Sequence, residues 1–128
     1  MNYKQKIGEF GEKLAKNHLI RHGYKIIDAN IKISYQEIDI IAQKGKRLIF
    51  IEVKTRTSLA FGSADTAMTA KKIGNLKKAI LIYINRNNNF LKKLNQPVDA
   101  NFIRLDLISI DINKKNKTAK IKHYRDIF

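Results

Sequence analysis

Glu37-Ile38-Asp39-Ile40-Ile41-Ala42, followed shortly by Leu48-Ile49-Phe50-Ile51-Glu52-Val53-Lys54, decides the reading of this chain. Both runs have the length and apolar content of strands, and Lys44, Gly45 and Lys46 supply a tight turn between them. A run as apolar as Leu-Ile-Phe-Ile belongs inside a sheet. Ending it in Glu52 and Lys54 costs desolvation free energy unless those charges meet partners. A metal ion facing a phosphate would be such a partner.

Side chains alternate along a strand, so Leu48, Phe50, Glu52 and Lys54 share one face, and Ile49, Ile51 and Val53 the other. With Lys44 and Gly45 as the central turn residues, Gln43 lies opposite Lys46 and Asp39 opposite Phe50. Asp39 then falls on the face of Glu52 as its diagonal neighbour, with alpha carbons roughly 7–8 Å apart. A one-residue change in the turn would send Asp39 to the other face. Two carboxylates that converge can share one oxygen-loving cation. The chain has no cysteine and only His18, His22 and His123, so zinc fits poorly and Mg²⁺ or Mn²⁺ fits better. Lys54 beside them would suit a phosphate oxygen or an attacking water. The competing reading is an ordinary surface ion pair, the usual fate of Glu-x-Lys on a strand.

Outward from this hairpin, residues 5–22 read as a helix with Ile7, Phe10, Leu14, Ala15 and His18 on one stripe, stopped by Gly23. Residues 24–29 read as a short strand. Phe61-Gly62-Ser63 marks a loop. Thr69 caps a second helix running to about Asn85, with Ile73, Leu76, Ile80 and Ile84 along one side. Residues 85–101, asparagine-rich and holding Pro97, read as a mobile loop. Residues 102–112 form a strand buried on both faces, 113–117 a basic turn and 118–124 a final strand. The order implies an α/β fold, a mixed β-sheet flanked by helices, in one domain over 1–128.

The 128 residues carry a formal charge of +15, which favours a polyanionic partner such as nucleic acid. A bland cause stands beside it: Lys, Asn and Ile make up 53 residues (20, 12 and 21), and all three have A/T-rich codons. No apolar run is long enough to span a membrane, and the N-terminus leads into no apolar signal region. The expectation is a cytoplasmic protein with no membrane partner.

The residues also resemble a known family. Gly11-Glu12-Lys13-Leu14-Ala15, Gly23-Tyr24-Lys25-Ile26-Ile27, Asn30, Glu37 to Ala42, Phe50 to Arg56, Phe61-Gly62, Lys72 and Ile121 to Phe128 are similar to the YraN family of small bacterial proteins. These are predicted nucleases of the restriction-endonuclease-like, or PD-(D/E)xK, superfamily. The resemblance implies a Mg²⁺-dependent site with Asp39 and Glu52 as metal ligands and Lys54 as the signature lysine. It adds Glu12, matching a helix glutamate that approaches the metal in archaeal Holliday-junction resolvases, and with it a branched or structured DNA substrate and an open question of a homodimer. Glu9 could replace Glu12, Glu37 belongs at the rim, Arg56 and Lys72 are candidates for phosphate contact, and His123 reads as structural. Gln36 stands where the family usually has glycine, and Ala70 where it often has proline.

The function expected is metal-dependent hydrolysis of phosphodiester bonds in DNA. The alternative is a non-catalytic nucleic-acid-binding protein that keeps the nuclease fold. A basic RNA- or ribosome-associated protein with no site is the third reading, and it leaves the buried strand charges unexplained.

Overall fold

The computed structural model describes residues 2–57, 68–92 and 103–127. Helix α1 (Tyr3–Arg21) starts at a capping box in which the Asn2 side chain accepts from the Gln5 N–H and the Gln5 side chain from the Asn2 N–H. It ends at Gly23, whose φ of 85° lets the chain turn into strand β1 (Lys25–Ile33). Strands β2 (Gln36–Lys44) and β3 (Arg47–Arg56), helices α2 (Ala70–Arg86) and α3 (Asn88–Lys92), and strands β4 (Ile103–Asn113) and β5 (Thr118–Tyr124) follow. The five strands form one sheet in chain order. Every pair is antiparallel except β3–β4, which is parallel, so the sheet is mixed and α2 lies in its crossover.

Helices cover both faces. On one, Ala15 and Leu19 of α1 pack over Ile40, Ala42, Ile49, Ile51, Ile108 and Ile110. On the other, Leu76, Ala79, Ile80 and Tyr83 of α2 pack over Ile41, Leu48, Phe50 and Leu105, with Phe50 and Tyr83 edge to face. Central β3 is therefore buried on both sides, as its Leu-Ile-Phe-Ile run requires. The fold is α/β, a mixed sheet flanked by helices, as predicted. Among the described residues no helix is long and apolar enough to cross a membrane.

Several predicted details differ. In the β2–β3 hairpin Lys44 pairs with Arg47 and Ile41 with Phe50, so Gly45 and Lys46 are the central residues. Gly45, at φ 61°, takes the first of them, where a tight hairpin wants positive φ. The pairing thus shifts by two positions, which preserves the faces of the paired side chains, Ile40 to Lys44 and Arg47 to Ile51. The buried stripe of α1 is Gly11, Ala15 and Leu19, while Phe10 is half exposed. Gly11 sets this stripe: a Cβ there would overlap the Thr55 side chain of β3. Strand β1 runs on to Ile33 through a register irregularity between Ile26 and Asp28 and a left-handed Asn30. In the asparagine-rich segment read as a loop, Asn85 and Arg86 close α2 and Asn88–Lys92 form α3. Residues 93–101 of that segment, and Phe61-Gly62-Ser63, lie outside the described residues.

Candidate active site

The side-chain alternation of β2 breaks at Asp39. Ile40 and Ala42 face α1, yet Ile38 joins the cluster under α2. The residue across from this break on β1 is Asn30, held at φ 53°, a conformation asparagine tolerates better than most side chains. The β2–β3 pairing reaches only to Ile40 and Ile51. Beyond it the Asp39 carboxylate takes over a strand's role and accepts the Val53 N–H through Oδ2 at 2.8 Å. The sheet opens here, and the opening is a cleft of about 1090 Å³ between β2, β3 and the first turns of α1. Glu12, Asn30, Glu37, Asp39, Lys54 and Arg56 are among its lining residues.

Glu52 sits one residue before Val53 and is 5% exposed. Its Oε1 lies 3.6 Å from Lys54 Nζ and 4.0 Å from Lys72 Nζ. Its Oε2 is buried with no hydrogen-bond partner among the described residues. Burial, then the charge of Glu52, pushes the Asp39 carboxyl up to about 7, despite the opposing Val53 N–H; Glu12 and Glu37 add to the rise. Glu52 is raised too, by burial above all, against the pull of Lys72 and Lys54, with a smaller push from Glu37. Two carboxylates that each resist ionisation, one with an orphaned oxygen, make a donor set suited to a hard dication.

Glu12 reaches the cleft from α1, where Gly11 lets the helix approach β3. Its Oε1 accepts from Asn30 Nδ2 at 2.8 Å and lies 3.6 Å from Lys16 Nζ. It is close enough to act on Asp39 electrostatically, but among the described residues no three carboxylate or imidazole groups converge into a ready-made cage. Lys72 arrives from the first turn of α2, which Thr69 caps by accepting the Lys72 N–H. Ala70 opens that helix without the proline. Arg56 stands on the cleft wall.

The remaining predicted residues lie elsewhere. His123 Nε2 donates to Asp106 Oδ2 at 2.7 Å, with His18 at 3.3 Å on its other nitrogen; it sits on β5, two strands across the sheet from β3 in the row of Val53, and does not line the cleft. The closing segment that carries part of the resemblance therefore serves the Asp106 network: the Asp126 N–H also donates to Asp106. Sequence reading gave Asn30 no role, although it holds Glu12. An asparagine inside a strand, a residue type that strands disfavour, was the available signal.

The model of the "Uncharacterised protein family UPF0102" matches residues 11–110, a range that includes Glu12, Asp39, Glu52, Lys54 and Lys72. A UPF0102 protein of Caldicellulosiruptor bescii is 41% identical over 128 residues, all of both chains. The chain belongs to the UPF0102 family. This is the family that the sequence resemblance names YraN. UPF0102 proteins of Syntrophomonas wolfei and Dictyoglomus thermophilum are 36% and 40% identical, the first over 97% of this chain and 98% of the relative, the second over 91% of each. The likeness to UPF0102 proteins thus extends over whole chains.

Proposed function

We propose that this chain is a metal-dependent nuclease of the PD-(D/E)xK kind that hydrolyses phosphodiester bonds in DNA. The observation that carries the reading is the pairing of partly buried Asp39 with buried Glu52, the charge of Glu52 repelling that of Asp39 and its Oε2 unpartnered among the described residues, beside two lysines. Asp39 and Glu52 would hold Mg²⁺ or Mn²⁺, and Glu12 would join them on letting go of Asn30 and Lys16. Bound there, the dication supplies acidification of a water and neutralisation of charge building on phosphorus.

The chain's own groups do the rest. The Val53 N–H fixes one Asp39 oxygen and so sets the carboxylate's direction. Lys54, on the edge of the cleft, holds a phosphate oxygen and stabilises negative charge as it develops. Lys72 offsets Glu52 from the other helix and is placed to take a phosphate when a cation displaces it from Glu52. Arg56 on the cleft wall would grip the backbone further along. The likeness of the first helix to that of Holliday-junction resolvases favours branched or structured DNA by analogy only.

The test is a panel of linear, nicked, flapped and four-way-junction DNA with Mg²⁺ or Mn²⁺. Wild type should cut at least one, and Glu52→Ala and Lys54→Ala should abolish cutting while keeping the fold. No cleavage of any substrate defeats the enzyme reading. The second reading, a nucleic-acid-binding protein without turnover, draws on the two ammonium groups already beside Glu52 and the lack of a three-ligand cage among the described residues. Salt-sensitive binding without cleavage would select it.

A further inference from the structure

A second hollow, of about 410 Å³, lies at the opposite end of the sheet. Tyr24, Lys44, Lys46, Arg47, Arg104 and Arg125 line it, so five of its six residues are cationic and none is acidic. Lys44, Lys46 and Arg47 come from the β2–β3 turn, Arg104 from the start of β4, and Arg125 from just after β5. Asp106, lying behind, balances only Arg104: Nε and Nη2 donate to its two oxygens at 2.8 Å each. Nη2 also donates to the Tyr24 hydroxyl, which leaves Nη1 without a partner among the described residues. The guanidinium is thus locked in one orientation by groups behind it.

The other four cations have no carboxylate at ion-pair distance among the described residues. Lys44 Nζ rests 4.8 Å above the Tyr24 ring centroid. Asp126, the exposed acid next to Arg125, uses its backbone N–H on Asp106. His18, packed nearby, is held below its ordinary range by burial first and then by the charges of His22, His123, Arg125 and Arg21, which reports a positive local field. Like charges gathered round one hollow repel each other, and a multiply charged oxyanion relieves that repulsion while accepting several charge-assisted hydrogen bonds. Arg47 and Glu52 are five residue steps apart along β3, about 17 Å at a strand's rise, so the hollow is not an extension of the cleft.

We propose that this hollow is a phosphate-binding site, with the rigid Arg104 as its base and Lys46, Arg47 and Arg125 as its exposed rim. The phosphate can belong to the end of a nucleic-acid strand, to its backbone, or to a free anion. These sources are separated by three probes: a short 5′-phosphorylated oligonucleotide, the same oligonucleotide with a 5′-hydroxyl, and inorganic pyrophosphate. Each is titrated into the full chain with a chelator present, so that Asp39 and Glu52 take no part, and in enough salt to screen diffuse attraction to a protein of charge +15.

The expected result is a shift of the backbone amide signals of residues 45–47 and 125 with at least one probe. Preference for the phosphorylated oligonucleotide indicates a strand end, equal binding of both oligonucleotides the backbone, and binding of pyrophosphate alone a free anion. Lys46→Gln combined with Arg47→Gln, both exposed turn residues, should weaken that binding at least about tenfold. Lys115→Gln with Lys120→Gln removes the same charge elsewhere and should leave it unchanged. The proposal is overturned if no probe moves those amides, or if the two double variants bind alike. Neither outcome touches the nuclease reading, whose test needs a dication and the cleft.

Discussion

Asp106 on β4 and the Asp39–Glu52 pair on β2 and β3 belong to the same sheet, Asp106 and Glu52 buried and Asp39 partly so, yet their surroundings are opposite. Asp106 is 0% exposed and accepts from Arg104 twice, from the Asp126 N–H, and shares a hydrogen bond with His123. Burial alone would raise its pKa, but those bonds, His123 and Arg104 foremost, hold it below the ordinary carboxylate range. Asp39 has one backbone donor, Glu52 has an oxygen with none, and both are raised. One charge is fully answered by the protein and the other pair is left for something else to answer. A buried acid with a complete set of partners is a fold device, whereas a buried pair without one is a site.

The comparison can be broken by mutation. Glu52→Gln should lower DNA cleavage at least roughly 1000-fold, since a lost ligand removes several kcal/mol of transition-state stabilisation. The same variant should unfold in denaturant no earlier than wild type without metal, because it removes a carboxylate that burial disfavours and that Lys54 and Lys72 meet on one oxygen alone. Asp106→Ala should do the reverse, costing about 3–5 kcal/mol in a denaturant titration by stranding Arg104. Equal stability losses at the two sites would erase the distinction drawn here.

The pH dependence sharpens it. Asp39 is raised from 3.8 to about 7 on folding, so its contribution to metal-free stability is full below the unfolded value and is lost as pH rises through about 7. Asp39→Asn should therefore match wild type near pH 4 and exceed it above neutrality, by up to about 4 kcal/mol at roughly 1.4 kcal/mol per unit. Asp106, with a lowered pKa, contributes stability above its unfolded value and loses it as pH falls through the folded one. Thermal melts of the two variants against wild type across the acid range should diverge in opposite directions.

The smallest effect concerns the helix that serves both regions. Helix α1 brings Glu12 to the cleft and His18 to His123. Gly11→Ala presses a methyl group into Thr55 and should cost about 1–3 kcal/mol by denaturation. If the helix lifts as a body, the Glu12–Asn30 and His18–His123 contacts should both loosen in side-chain spectra; loosening of one alone would show that the regions are independent.

Much of the fold was legible because its decisive strand is apolar without interruption, and period-two patterning fixes which side chains share a face. The pairing was off by two positions because Gly45 takes the first central place of the turn, which spacing alone does not reveal. An even error left the paired residues on their expected faces, but the pairing ends at Ile40 and Ile51, before Asp39. What sequence could not supply was the local break: the left-handed Asn30, the flip at Asp39 and the carboxylate replacing a strand bond arise from strands meeting in space. Asp106 was equally hidden. It shares its strand with Arg104, Ser109 and Asp111, and besides Arg104 its partners come from positions as distant as 123 and 126, so its satisfaction is a long-range property. The α1 stripe misled for the same reason, since only the Gly11–Thr55 approach shows which side of the helix meets the sheet.

Calorimetric titration of Mn²⁺ into the protein slightly above neutral pH, for wild type, Asp39→Asn and Glu52→Gln, tests the carboxylate pair most directly. The account predicts one ion per wild-type chain, with proton release as Asp39 gives up its proton, and binding lost or greatly weakened in both variants. No uptake by wild type, or uptake by Glu52→Gln equal to that of wild type, would contradict it.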